Sequence, residues 1–247
     1  MTRCPSIVVP YFFPCLFSYL LKLFMSALPE SVQHLLASTD VGDRIRAVNQ
    51  ARTLPLDGAF ECLKIAALDR NPRVRYAAVS QIGTVGNYDR VQALEVLRDR
   101  LWRDEEPDVQ AAASDSLGAL QMVEALEDLQ HLYHSTTEWI VKFSVVAALG
   151  AMGDPRGFEL LTMALASENE LIKIVAIGAM GELGDTRAIP LLLALVNHSD
   201  WQVRHRVAQA LKPFQNPETV TALQRLSTDS IVPVCQEAQA ILTAWGN

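Results

Sequence analysis

Trp139, Lys142 and Phe143 are matched, at the same mutual spacing, by Trp201, Arg204 and His205. Arg75 and Tyr76 occupy the Lys142 and Phe143 places in an earlier segment of the same kind. Together these residue types support a narrow range of chemistry. Aromatic faces stack on flat conjugated bodies. A neighbouring cation takes a carboxylate, and Arg does so with a two-pronged fork. An imidazole such as His205, or a carboxylate such as Glu138 or Asp200, can move a proton. Tyr76, Trp139, Phe143 and Trp201, with Arg75, Lys142 and Arg204, would therefore hold something flat, apolar and carboxylated.

Other chemistries find less support. The chain has no GxGxxG, phosphate-binding loop, HExxH or GxSxG. His131 and His134 are three apart, with Glu127 and Asp128 a turn earlier, which is a weak metal spacing. They read as a solvated charged helix face, and no metal site is expected. Cys4, Cys15, Cys62 and Cys235 form no CxxC pair and fit no zinc template. Unpaired, mostly buried thiols in a reducing compartment are the simplest expectation.

The elements that must position these residues come from a repeat. One segment recurs as NPRVRYAAVSQIGTVG, PDVQAAASDSLGAL, EWIVKFSVVAALGAMGD, ELIKIVAIGAMGELGD, DWQVRHRVAQALKPF and IVPVCQEAQAILTAW. Its anchors are Val74, Val109, Val141, Ile172, Val203 and Val234, spaced by 35, 32, 31, 31 and 31. A degenerate copy lies near Ile45, in a register the sequence leaves open. Between copies lie second apolar runs such as FECLKIAAL, FELLTMAL and AIPLLLALV, with leucines at helical spacing. Gly153-Asp154 and Gly184-Asp185 sit where a glycine ends one helix. Each unit is thus a two-helix hairpin of about 31 residues that buries its apolar faces only by stacking on neighbours.

With the anchor as position zero, 100° per residue puts zero, +4, +7 and +8 on one buried face. Positions −2, +2 and +6 then point into a groove. Position +2 is Tyr76, Ala111, Phe143, Ile174, His205 and Gln236, and position −2 includes Trp139 and Trp201. An aromatic stripe on an outward face suggests a binding surface. Two plainer arrangements stay open. The tryptophans could pack between repeats. The basic +1 residues Arg75, Lys142, Lys173 and Arg204 could form an ion-pair ladder with acids such as Asp69, Asp154, Asp185 and Asp200. Arg73 and Arg206 flank the groove and are freer to meet a carboxylate.

The net charge is −7, and the first 25 residues hold Arg3 and Lys22 without an acid, leaving −9 for the rest. That balance excludes a nucleic-acid partner held by its phosphates. Residues 7–25 are nearly all apolar but broken by Pro10 and Pro14. We read residues 1–25 as an extension outside the folded body, with Met25-Ser26-Ala27 resembling an ordinary cytosolic start, and residues 26–247 as a single solenoid domain. A membrane anchor or a cap helix are the alternatives for the extension.

The motif D/E-x-x-V-R/K-x-x-A-x-x-A-L-G-x-x-G-D resembles the HEAT-repeat superfamily across roughly residues 40–245. The resemblance implies an all-α, right-handed α-solenoid of six to seven HEAT-like two-helix repeats. Some HEAT-like enzymes hold two irons through His-Glu dipeptides; no histidine here is followed by Glu. At finer grain, SVQHLLASTDVGDRIRAVNQARTL, HSTTEWIVKFSVVAALGAMGDPRGFELL and HSDWQVRHRVAQAL resemble the phycobilin lyases of the E/F type. The nearest branch is the phycobilisome-degradation relatives, the non-bleaching B proteins. That resemblance implies a phycocyanobilin-type linear tetrapyrrole as ligand. It implies phycobiliprotein subunits (phycocyanin, allophycocyanin) as partners, and a cytoplasmic place at the phycobilisome on the thylakoid surface. The implied activity is detachment or handling of a thioether-linked bilin, with His205, Glu138 or Asp200 moving the proton. A non-enzymatic adaptor that holds a protein partner is the alternative.

Overall fold

The computed structural model describes residues 28–246. These form fourteen α-helices. They run α1 Glu30–Leu36, α2 Val41–Gln50, α3 Leu56–Ala66, α4 Pro72–Val85, α5 Arg90–Arg103, α6 Pro107–Ala119 and α7 Leu126–Ser135. The series continues with α8 Trp139–Met152, α9 Phe158–Leu165, α10 Glu170–Leu183, α11 Ala188–Leu193, α12 Trp201–Leu211, α13 Pro217–Leu226 and α14 Val232–Ala244. Each odd helix packs on the even helix that follows it, and each even helix packs on the next even helix. Seven hairpins therefore stack into a two-layer array, as the repeat spacing predicts. Residues 7–25, the candidate anchor or extension, lie outside the described residues. Among the described residues no helix is long and apolar enough to cross a membrane.

Local chemistry sets the helix ends. Pro72, Pro107 and Pro217 open their helices, where the missing N–H costs nothing. Asn71, Asn169 and Asp200 accept backbone N–H groups of the first turn. Gly153 and Gly184 close α8 and α10 in the left-handed conformation, at φ 68° and 70°.

The predicted inner face is the core. Val74, Ala78 and Ile82, and equally Val203, Val207 and Leu211, are fully buried. Burial of each larger side chain contributes about 1.5–3 kcal/mol. Where the motif has its ALG glycine, the even helices come closer than a side chain permits. A Cβ on Gly118 would stand 2.6 Å from Ala148 Cα. On Gly150 it would stand 2.6 Å from Ala179 Cα, and on Gly181 2.6 Å from Ala210 Cα. Glycine at +9 therefore sets the spacing to the +7 residue of the next hairpin.

The basic +1 residues are placed by a second regularity. Arg75 binds Asp104 with both prongs, at 2.7 Å each, and its Nη1 donates to the carbonyls of Asp69 and Arg70. Arg204 does the same with Asp229 and the carbonyls of His198 and Ser199. Arg44 does so with Asp69 and the carbonyls of Ser38 and Thr39. This last pair fixes the open register: Arg44 is the +1 residue of the first hairpin, 31 positions before Arg75. The ladder thus exists, but its acids lie five residues before the next anchor. Asp154 and Asp185 instead bind Arg156 and Arg187 in their own turns, and Asp200 caps α12.

That −5 position has a job in every hairpin. Ser38, Asp69, Asp104, Thr136, Ser167, His198 and Asp229 each accept the backbone N–H two residues on. Only the three aspartates on the far side of an interface from an arginine carry the additional ion pair.

Candidate functional site

The exposed face of the even helices carries two separate hollows, divided by α8. The first, of about 490 Å³, is lined from α4, α6 and α8 by Arg73, Tyr76, Glu106, Asp108, Asp115, Ile140 and Ser144 among others. The second, of about 430 Å³, is lined from α8, α10 and α12 by Phe143, Leu171, Ile174, Trp201, His205, Arg206 and Gln209 among others. A further hollow of about 410 Å³ continues from it past Arg206 and Gln209 to Gly178, Glu182 and Lys212. Such volumes lie within the range of about 300–1,000 Å³ of small-molecule sites.

The helix wheel brings some predicted residues together and separates others. Phe143, Trp201 and His205 meet in the second hollow, and Tyr76 lies in the first. Tyr76 is 48% exposed and Trp201 40%, so the aromatic stripe does face outward. Trp139 is 48% exposed as the first residue of α8 and lines neither hollow. The predicted cations at +1 are elsewhere. Arg75 and Arg204 are committed to Asp104 and Asp229, with side chains only 13% and 15% exposed. Lys142 turns back over the Tyr133 ring of α7, 5.3 Å from its centroid. The reason is angular: position +1 lies one 100° step from the core face, on the flank that leads to the next loop. Of the three proposed proton carriers, only His205 lines a hollow. Its Nε2 is 3.9 Å from Glu237 Oε2. Glu138 is exposed at the start of α8, and Asp200 is taken up by the Gln202 N–H at 2.8 Å.

The groove floor is built by a row the sequence reading touched only in part. Position +6 of one hairpin lies against +3 of the next: Asp115 accepts from Ser144, and Gly178 lies under Arg206. Asp115 is the only charged residue at +6, the one sequence signal that marks it. Solvent reaches it, but crowding by α4, α6 and α8 raises its carboxyl above the ordinary value, chiefly through desolvation. The Ser144 hydrogen bond opposes that rise. Arg73 and Arg206, the two freer arginines, are the ones that line the hollows.

Among the described residues no thiol enters the groove. Cys62 is buried, and desolvation pushes its thiol up to about 11. The Cys235 thiol donates to the Ser227 carbonyl. The His131 and His134 face holds no metal cage: Asp128 accepts from Arg98 and the Trp102 indole, and His131 packs on Trp102. Among the described residues no cluster of three or more His, Cys, Asp or Glu is placed to hold a metal ion.

Stacked helical hairpins with a groove along the even helices define an α-solenoid. The HEAT-repeat family model matches residues 28–117, 94–173 and 158–242, and the chain belongs to that family. Among solved structures it is similar to YibA of Escherichia coli. The two share 14% identity over 98% of this chain and 88% of the other, at a TM-score of 0.61. It is also similar to the complex of CpcE and CpcF of phycocyanin lyase from Nostoc sp., at 18% identity over 99% and 98% of the chains and a TM-score of 0.55. At these identities the likeness concerns the fold. No curated protein matches the sequence.

Proposed function

We propose that this solenoid binds a linear tetrapyrrole of the phycocyanobilin type and acts on phycobiliprotein subunits such as phycocyanin and allophycocyanin. In this reading it detaches or otherwise handles their thioether-linked chromophore during phycobilisome degradation. The observation that carries it is the second hollow, an open apolar cleft walled by Phe143, Ile174 and Trp201 with His205 at its edge. A bilin is a flat conjugated body with two propionates, and offset stacking on Phe143 and Trp201 suits it. The sequence resemblance to the E/F-type lyases and the shared fold with a phycocyanin lyase support the same ligand class. His205 would supply the proton movement that thioether elimination needs, and would operate beside the phycobiliprotein at the thylakoid surface.

The test is a visible-absorbance titration of the full chain with phycocyanobilin. A bound spectrum is expected for the natural protein and its loss in Phe143→Ala/Trp201→Ala. Unchanged binding in that variant overturns the reading. A second reading, a non-enzymatic adaptor, draws on the first hollow, whose Glu106, Asp108 and Asp115 suit a basic segment of a protein partner. Mixing the protein with chromophorylated phycocyanin separates the two. Released or altered bilin favours chromophore handling, and a complex with an unchanged spectrum favours the adaptor.

A further inference from the structure

Arg206 occupies the +3 place of its hairpin, where the equivalent residues are Ala77, Ala112, Ser144, Val175 and Glu237. The first hairpin has a second cation in that row, Arg46, which is paired with Asp43; Arg206 has no carboxylate partner. Its guanidinium occupies the space a side chain at Gly178 would fill: a Cβ there would stand 2.1 Å from Nη2 and 2.4 Å from Nε. Gln209 Oε1 accepts from Nη1 at 3.2 Å. The Nε–H is buried and has no hydrogen-bond partner, which is a costly state for a charged donor. Arg44, Arg75 and Arg204 are each saturated by a carboxylate and two backbone carbonyls; Arg206 has only an amide. The group also stands at the junction of the aromatic hollow and its extension, lining both.

We infer that Arg206 is the carboxylate anchor of this cleft. A flat apolar ligand would lie against Phe143 and Trp201 with its acid group on the guanidinium. Glycine at 178 permits this, because any side chain there would lift the guanidinium off the groove floor. The inference rests on the proposed tetrapyrrole reading for the identity of the ligand, and on the cleft alone for the class.

Two ligand pairs test it on the full chain: phycocyanobilin with its dimethyl ester, read by absorbance, and 1-pyrenebutyrate with its methyl ester, read by fluorescence. The natural protein should bind each acid about tenfold or more tighter than its ester, as a charge-assisted fork implies. Arg206→Gln should bind acid and ester alike, and Arg206→Lys should recover part of the preference. Gly178→Ala, which keeps the charge but displaces it, should reduce the preference with the urea midpoint little changed. Equal binding of acid and ester by the natural protein, or a preference that survives in Arg206→Gln, overturns the anchor, as does failure of both acids to bind. An Arg206-dependent preference for pyrenebutyrate with no phycocyanobilin binding sustains the anchor and removes the tetrapyrrole reading.

Discussion

The interfaces near the two ends of the array and those at its middle are fastened differently. Between hairpins one and two, two and three, and six and seven, an arginine reaches across to an aspartate that caps the next hairpin. Between three and four, four and five, and five and six, the corresponding pairs are Gln110 with Thr136, Lys142 with Ser167, and Lys173 with His198. The arginine and the aspartate are lost together, while the capping bond of the −5 residue is kept. The middle interfaces carry ion pairs elsewhere, Arg98 with Asp128 and Arg187 with Glu159. Their Gly118, Gly150 and Gly181 bring backbones closer than Gly83 does between hairpins two and three, at 2.6 Å against 3.2 Å from the facing Cα. The end interfaces thus add an arginine–aspartate fork at the loop edge, and the middle ones have the closest glycine contacts between helix faces. The aromatic hollow lies within the middle region, where no +1 arginine is held across an interface by a −5 aspartate and Arg206 faces the groove.

The sharpest way to break this comparison is to remove one rivet. Asp104 is buried and receives Arg75 and Arg100 as well as the Glu106 N–H. Asp104→Ala takes the carboxylate from the largely buried Arg75, leaving it only two backbone carbonyls, and should cost about 3 kcal/mol in urea unfolding. Ser167→Ala, at the same place in the middle, removes only a capping bond and should cost about 1 kcal/mol. Equal costs would show that the two kinds of interface do not differ. Gly150→Ala comes next. Its Cβ meets the Ala179 backbone, which cannot give way cheaply, so about 2–3 kcal/mol is expected.

Acid acts with opposite sign on the cross-interface aspartates and on Asp115. Asp229 is held below the ordinary carboxylate value, first by the Arg204 hydrogen bonds. For Asp104, burial pulls upward, but the Arg75 bond and the Glu106 N–H outweigh it, and the net direction is down. A depressed folded value means stability that is present above the unfolded value of about 3.9 and lost as pH falls through the folded one. Asp115 is raised, so ionisation costs the folded state, and that penalty disappears as pH falls through its folded value. Hydrogen exchange as pH falls below about 4 should therefore show α4 and α5, joined at Asp104, and α12 to α14, joined at Asp229, loosening before α6 and α8, which meet at Asp115. Asp115→Asn should raise the urea midpoint at neutral pH; a lowered midpoint would contradict the direction.

Much of this was legible in the sequence because a 31-residue period repeats a few simple demands. The buried face, the Gly153 and Gly184 helix ends and the outward Tyr76 and Trp201 follow from 100° per residue. The +1 basic residues were harder to place. A cation on the flank of a helix can serve the groove or the next loop, and the choice depends on which loop reaches it. That is a matter of stacking, which no single hairpin encodes. Asp104 and Asp229 do share a spacing with Asp69, so the correct ladder was present as a periodicity of acids. The groove floor was hardest, because Gly178 and Arg206 come from different hairpins and acquire meaning only when one lies on the other.

The gentlest test transplants the rivet. Lys142 and Ser167 stand at the places of Arg75 and Asp104, and Ser167 Oγ already accepts the Asn169 N–H at 3.2 Å. An aspartate there would keep that bond and offer its second oxygen across the interface. Lys142→Arg/Ser167→Asp should stabilise the middle by about 1 kcal/mol, with each single change near neutral, because the gain is a coupling between partners. A double-mutant cycle in urea measures that coupling. The groove gives an independent readout: Lys142 faces Tyr133 and not the hollow, so ligand binding at Phe143 and Trp201 should be unchanged. A coupling near zero would mean that Gly150 already holds the fourth and fifth hairpins at a spacing the pair cannot bridge, and that close helix contact and the loop rivet are alternatives set by geometry.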